Sequence, residues 1–389
     1  MRVAVIAGWY PSEDDPVNGV FVREQALAVA LQHDVSVVAD DPSPARGLAP
    51  FRLIERDEDG LRTIRVIHRR PGMRWLGSLT FLLGVLAAVW RLARRGERPD
   101  VLHAHVYAAG LSAVAAGRLV GAPVVITEHL SLFRLGAVNG LDRIVARLAF
   151  AGADLVSPVS DELAGHLVRA GYRPRRMEVV PNVVDTHRFH PGDPEGAPAG
   201  RRLLSVGRLS QVKGTDVLLE AMAVIHPARP DVTLEIIGDG PDRAAYEARA
   251  RELGLGDAVA FRGNRPPDEV AAAMRSADLL LLPSRTENLP CVAIEAAASG
   301  LRVIASDVGG TSEVVSPDVG LLVPAEDPAT LAAATLEALD HGADAYDGGA
   351  AARLAGERFG AEAVARRWMQ LYRTLPRRRR RLPSLSSRR

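Results

Sequence analysis

Short apolar runs alternate with helical patterns along almost the whole chain. In the first half, "RVAVIAG", "DVSVVAD", "DVLHAH", "APVVITEH", "ADLVSPVS" and "MEVVPN" read as strands, and "VFVREQALAVALQ" reads as a helix. Runs this short and this apolar suit strands covered on both faces, as in a parallel sheet. "ERDEDGLRTIRVI" predicts a hairpin closed by an Asp-Gly turn. Pro and Gly then crowd into "FHPGDPEGAPAGRR" at 189–202, without hydrophobic periodicity, and this reads as a linker. The alternation restarts after it with "RLLSVGRL", "VTLEIIGDG", "AVAFRGN", "DLLLLPS", "RVIASD" and "GLLVP", separated by helical patterns.

Two successive β/α halves predict an α/β protein with two Rossmann-like β/α/β domains facing across a cleft. The expected ranges are a first domain at 1–187, a linker at 188–200, a second domain at 201–375 and a basic tail at 376–389, the last helix being able to return to the first domain. Ligands of such sheets bind at the C-terminal strand ends. A cleft between two domains lets two substrates meet and lets closure exclude water.

Composition narrows the class. The chain has 389 residues, 47% hydrophobic and 24% charged, with a net charge of +1. That is an ordinary globular make-up with no global pull toward nucleic acid. The single cysteine, Cys291, excludes an internal disulfide framework and any cysteine cluster for zinc or iron–sulfur, and fits a reducing, cytoplasmic setting. The N-terminus reads as a strand and polar loop rather than a signal peptide. The longest apolar run, 79–90, is shorter than the ~20 residues that span a bilayer. Around it, residues 51–95 carry ten Arg against four acids, which fits either a buried helix between solvated arginines or a basic, apolar face toward a membrane. The tail, with five consecutive Arg at 377–381, offers a second contact for an anionic surface.

Lys213 is the only lysine, although Lys and Arg together number 48. It stands in "SVGRLSQVKGTDVLLEAM", after a strand and before a helix, five residues past Arg208. A strand–loop–helix junction with Arg, Lys and Gly suits an anion. Lysine supplies a compact charge where a planar guanidinium is bulkier. In "SRTENLPCVAIEAAASGLRVIASDVGGTSEVV", Glu287 lies in the loop before a helix and Glu295 a turn inside it, with Asn288 and Pro290 as cap and first-turn residues. The two carboxylates can be about 12 Å apart, wider than the roughly 5–9.5 Å of a glycosidase pair. This spacing suits a grip on two parts of one long ligand, with the backbone N–H groups of Leu289, Cys291 and Val292 facing the same space. His103 and His105 alternate on one strand and so point the same way. They either line a cleft or bind metal, and cleft lining is preferred because no carboxylate spacing supports a metal. Asp57-Glu58-Asp59 reads as a solvated turn rather than a metal site.

In order along nearly the whole chain, these segments resemble the retaining glycosyltransferases of family 4, which have the two-domain GT-B fold. "GVFVREQALAVALQHDVSVV", "PDVLHAHVYAAGLSA", "VVITEHL" and "VVPNVVDTHRF" are similar to the family's acceptor half and interdomain signature. "SVGRLSQVKGTDVLLEAM", "LEIIGDGPDR", "VAFRGN" and "ENLPCVAIEAAASGLRVIASDVGGTSEVV" are similar to its donor half. The resemblance implies a nucleotide-diphosphate sugar as donor and a glycan, lipid-linked or small-molecule acceptor, with no metal or other cofactor and no nucleic acid. Arg208 and Lys213 would neutralise the leaving diphosphate, Glu287 would bond the transferred sugar and Glu295 the ribose. Gly19 would let the backbone approach the donor, His129 would face the reaction centre, His105 would line the acceptor side, and backbone near Arg262 and Gly263 would read the base. Two departures stand out: Asn288 replaces a common Gly, and "PNVV" replaces Pro-Asn-Gly. Asn is among the residues that best accept a left-handed backbone. The rival readings are a nucleotide-sugar epimerase on a similar fold and an inactive nucleotide-sugar-binding partner subunit. The first would release a new nucleotide sugar without acceptor, and the second would bind donor and transfer nothing.

Overall fold

The computed structural model describes residues 1–13, 15–41, 43, 49–68, 74–133, 136–192, 201–341 and 346–376. Most of the expected linker, from 193 on, and the basic tail from 377 on lie outside these residues. The chain divides into two compact units, Met1–Val183 with Val364–Arg389, and Val184–Ala363. The division falls a few residues before the boundary expected at 187, at the "PNVV" segment, and the last helix belongs with the first unit.

The first unit runs β1 (Arg2–Ala7), α1 (Val20–Ala30), β2 (Asp34–Asp41), β3 (Phe51–Glu58), β4 (Leu61–His68), α2 (Arg74–Arg94), β5 (Val101–His105), α3 (Tyr107–Val120), β6 (Val124–Glu128), α4 (Gly140–Gly152), β7 (Leu155–Pro158) and α5 (Asp161–Arg169). Its seven-stranded sheet has the order β3-β4-β2-β1-β5-β6-β7. Its pairings are parallel except the hairpin β3–β4, closed at Asp59 and Gly60 with positive φ at both. β1, β5 and β6 are buried along nearly their whole length, as continuous apolar runs require. "MEVVPN" is not a strand: only Met177 makes a bridge, to Val156 of edge strand β7. Pro181 has no N–H with which to continue such a ladder.

The 79–90 run lies within α2, a helix of 21 residues. By length and composition alone Leu76–Arg94 could cross a membrane. Phe81, Val85, Ala88, Val89 and Leu92 are nevertheless buried, and the helix packs on β4, β3 and α3. It is a core helix, with Leu79 and Leu83 left exposed.

The second unit runs β8 (Arg201–Val206), α6 (Thr215–Ala228), β9 (Val232–Ile237), α7 (Arg243–Glu252), β10 (Val259–Gly263), α8 (Pro267–Ser276), β11 (Leu279–Leu282), α9 (Cys291–Ala298), β12 (Arg302–Ser306), β13 (Gly320–Val323), α10 (Pro328–His341) and α11 (Gly348–Phe359). Its sheet is wholly parallel in the order β10-β9-β8-β11-β12-β13. The crossover from β8 to β11 makes them neighbours, with Leu203 opposite Leu279. The loops that follow these two strands therefore emerge side by side. The final helix, α12 (Ala361–Arg373), buries Trp368 and Tyr372 in the first unit.

Candidate active site

In the second unit the paired loops bring Lys213 to Glu287. Lys213 ends a 3₁₀ turn, Gln211–Lys213. Its Nζ donates to Glu287 Oε1 at 2.6 Å, and Ser284 Oγ donates to the same oxygen at 2.7 Å. The carboxylate is nearly buried, with 9% of its side chain exposed against 31% for the lysine. A buried carboxylate needs such donors, and the part-exposed ammonium keeps a face toward solvent.

Two features hold this pair: Arg285, which sequence reasoning missed, and Gly214, the glycine of the junction. Arg285 donates to both carboxylate oxygens of Asp216 at 2.9 and 2.7 Å and to the carbonyl of Gln211. Its own N–H donates to the carbonyl of Val212. The guanidinium holds the Asp216 carboxyl below its ordinary range. Gly214 has φ 66°, and a Cβ there would stand 2.0 Å from the carbonyl oxygen of Pro283. No other residue allows the turn carrying Lys213 to lie against the β11 loop.

Arg208 lies two residues past β8, exposed, and makes no ion pair among the described residues. The chain beside it is fixed by Leu209 N–H to the carbonyl of Asp239 at 3.0 Å and by Gln211 N–H to the Asp242 carboxylate at 2.9 Å. Glu295 is half-buried at the fifth position of α9, and Cys291 opens that helix with no disulfide. The N-cap is Pro290, so Asn288 sits outside the helix and is not its cap. Asn288 is also not left-handed: among the described residues, the positive-φ positions other than glycine are Asp59, Val106 and Glu326. Tolerance of that backbone therefore does not explain the asparagine. Leu289 is buried. Arg262 is exposed on edge strand β10 near Glu235, and the neighbouring Gly263 carbonyl accepts from Gly238 N–H.

In the first unit, β5 and β6 pair His105 with Thr127. His105 Nδ1 meets His129 Nε2 at 3.0 Å, and the rings stack at 5.3 Å. Phe21, two residues after Gly19, lies 4.4 Å from the His129 ring. Gly19 has φ 70°, and a Cβ there would stand 2.5 Å from the Trp9 backbone. Its first requirement is thus a close chain approach within this unit. Neither His103 nor His105 lines a surface, since both are buried. His103 is a core residue, bonded to Tyr372 Oη at 2.6 Å and Thr127 Oγ1 at 2.7 Å. Desolvation pushes His103 and His129 down to about 3 and His105 well down, so all three rings are neutral at pH 7.

Glu128 was also missed. It is buried and accepts from the N–H groups of Tyr107, His129 and Leu130 at 2.9, 2.9 and 3.0 Å. Burial raises it to about 7, with the three amides limiting the rise. It ties the His129 loop to the start of α3. Val106, between them, holds φ 70°, a strained value for a β-branched residue.

Beside the Gly19 segment lies a cavity of about 500 Å³, lined by Tyr10, Arg23, Asp41, Arg56 and Arg65 among others. The acids at 57–59 belong to its wall. Asp57 accepts from Gly60 N–H, Glu58 pairs with Arg65, and Asp59 pairs with Arg23. Among the described residues, no group of three or more His, Cys, Asp or Glu is arranged to hold a metal ion.

Two parallel-sheet α/β units with candidate residues at strand ends define the GT-B class, and solved structures agree. Sucrose-phosphate synthase from Thermosynechococcus elongatus superposes with a TM-score of 0.78 at 25% identity, over 96% of this chain and 98% of that one. Anabaena HepE, solved with UDP-glucose, gives 0.77 at 21% identity over 96% and 100%. The description "Glycosyl transferase 4-like domain" matches residues 19–183, and "Glycosyl transferases group 1" matches 193–354. A D-inositol 3-phosphate glycosyltransferase of Frankia alni is 34% identical over 382 residues, 90% of each chain. A 2-deoxystreptamine glucosyltransferase of Streptomyces kanamyceticus is 33% identical over 67% of this chain and 75% of that one. The chain belongs to the group 1 glycosyltransferases and is an enzyme of that family.

Proposed function

We propose that the chain transfers a sugar from a nucleotide-diphosphate donor to a hydroxyl acceptor, with retention at the anomeric carbon and without a metal. The observation that carries this reading is the Lys213–Glu287–Ser284 cluster in the half that matches the group 1 description. Arg208 and Lys213 supply two cations for the diphosphate as the bond from the anomeric carbon to the phosphate oxygen breaks. Stabilising that charge is the main demand of such a step. The acceptor oxygen bonds to the same face of the sugar, and its proton passes to the departing phosphate oxygen. No protein nucleophile takes part. Glu287 accepts a hydroxyl of the transferred sugar, Glu295 the ribose, and the N–H groups at the start of α9 face the donor.

The first unit supplies the acceptor side. Gly19 lets the chain approach the donor, and His129, held neutral beside His105, faces the sugar without adding charge. The cavity near Arg65 is the candidate acceptor pocket, its size being within the usual small-ligand range. Solved relatives carry UDP or UDP-glucose, and relatives in sequence are named for cyclitol acceptors. A UDP-sugar donor and a cyclitol or glycan acceptor are therefore the first pair to try. A single cysteine fits a reducing, cytoplasmic setting for the reaction, and a lipid-linked acceptor would bring the chain to an anionic membrane face.

The test is product analysis with UDP-sugars and cyclitol acceptors in the presence of EDTA. A glycoside with the donor's anomeric configuration is expected. An inverted product, or transfer only with added metal, would overturn the mechanism. A new nucleotide sugar formed without acceptor would instead identify an epimerase.

A further inference from the structure

The inward face of α4 is firmly seated. Ala146, Ala149 and Phe150 are buried, and Phe150 joins Phe133 and Tyr172 at 5.8 and 5.3 Å between ring centres. The outward face breaks the usual pattern. Leu141, Ile144 and Leu148 are 59%, 55% and 56% exposed. Their spacing of three and four residues puts them on one stripe. Arg143 and Arg147 run along one flank of it, both exposed, with no ion pair among the described residues. A row of large aliphatic side chains left in water, edged by such guanidinium groups, calls for a partner that is apolar in its interior and anionic at its surface.

We propose that α4 docks on a bilayer surface carrying anionic lipid headgroups. The helix would lie in the interface plane, with Leu141, Ile144 and Leu148 entering the acyl boundary and Arg143 and Arg147 meeting the phosphates. Charge complementarity favours this occupant over a second copy of the chain, because the same stripe on a second copy brings two further arginines and, on α4, the single acid Asp142. The apolar run 79–90 is not the docking element, since most of α2 is spent on the core and only Leu79 and Leu83 stand out.

The test is co-sedimentation of the full chain with phosphatidylcholine vesicles, with and without phosphatidylglycerol. Binding is expected only with the anionic lipid. It should be lost in Leu141→Ser/Ile144→Ser/Leu148→Ser and fall about fivefold for each of Arg143→Gln and Arg147→Gln. Leu79→Ser/Leu83→Ser, and a chain ending at 376, should retain it. All substituted positions are exposed, so the unfolding temperature should stay at the wild-type value, which separates loss of docking from loss of fold. Wild-type chain that ignores both vesicles overturns the proposal, as does a triple variant that still binds. A wild-type chain that self-associates through this stripe without binding vesicles overturns it in favour of a second copy.

Discussion

Lys213 and Glu287 meet as opposite charges at the end of one parallel sheet, while His105 and His129 meet as two neutral rings at the end of the other. Both pairs join the C-terminal ends of neighbouring parallel strands, β8 with β11 and β5 with β6, so the architecture is the same and the electrostatics are opposite. The lysine keeps part of its surface in water and stands against a carboxylate. The histidines are desolvated, which removes their charge. Under the proposed chemistry the difference follows the reaction: a departing diphosphate needs standing positive charge, whereas the carbon centre is met by a neutral ring.

The strongest way to break this contrast is Glu287→Gln. The amide keeps the shape but releases Lys213 from its counter-ion. UDP affinity should hold or rise, while kcat falls by about 10²-fold or more. Calorimetry with UDP beside steady-state rates reads both. A variant that loses UDP affinity while keeping kcat would show that the pair is structural. Lys213→Arg should lose both, because the 2.6 Å contact and the close approach at Gly214 leave little room for a guanidinium.

Much of this contrast is legible in the sequence. Every strand but β3 follows a visible apolar run, and Lys213 stands out by being alone. The hairpin strand β3 announces itself only through its Asp-Gly turn. What is not legible depends on sheet order. Glu287 lies 74 residues from Lys213, and nothing local says that β8 and β11 are neighbours. Arg285 is one more arginine among many until the crossover sets it against Asp216 and the Gln211 carbonyl. Glu128 stands inside "TEH" without any signal of its role, because three backbone amides leave no mark in sequence. Alternation correctly puts His103 and His105 on one face of a strand. It cannot say that Tyr372, 269 residues from His103, covers that face.

Acid offers a second, smaller lever. His103 and His129, at about 3, and His105, lowered well below 6.5 by the same burial, each support the neutral fold above 6.5 and withdraw that support as pH falls below it. Glu128 acts with the opposite sign. Raised from 4.5 to about 7, it favours the fold below 4.5 and loses that contribution as pH rises through 7. Three histidines against one glutamate leave the first unit weaker in acid. In the second unit Asp216 is held below 3.8 by Arg285, so its support persists until pH drops past that range. Hydrogen exchange followed between about pH 6.5 and 4 should open the first unit first. Simultaneous opening, or earlier opening of the second unit, would remove the electrostatic distinction between them.

Asn288→Gly is the mildest probe. The asparagine is not left-handed and does not cap α9, so neither backbone argument requires it or excludes glycine. The expected loss of stability is below about 1 kcal/mol, from greater freedom of the unfolded chain. The side chain is only half-buried beside Glu287, which bonds the transferred sugar in the proposed mechanism. Removing it should therefore alter the ratio of kcat/KM values among UDP-hexoses, with little change in UDP affinity. An unchanged ratio would mean that sugar choice is made elsewhere, and that this departure from the family pattern lies outside the chemistry that Lys213 and Glu287 perform.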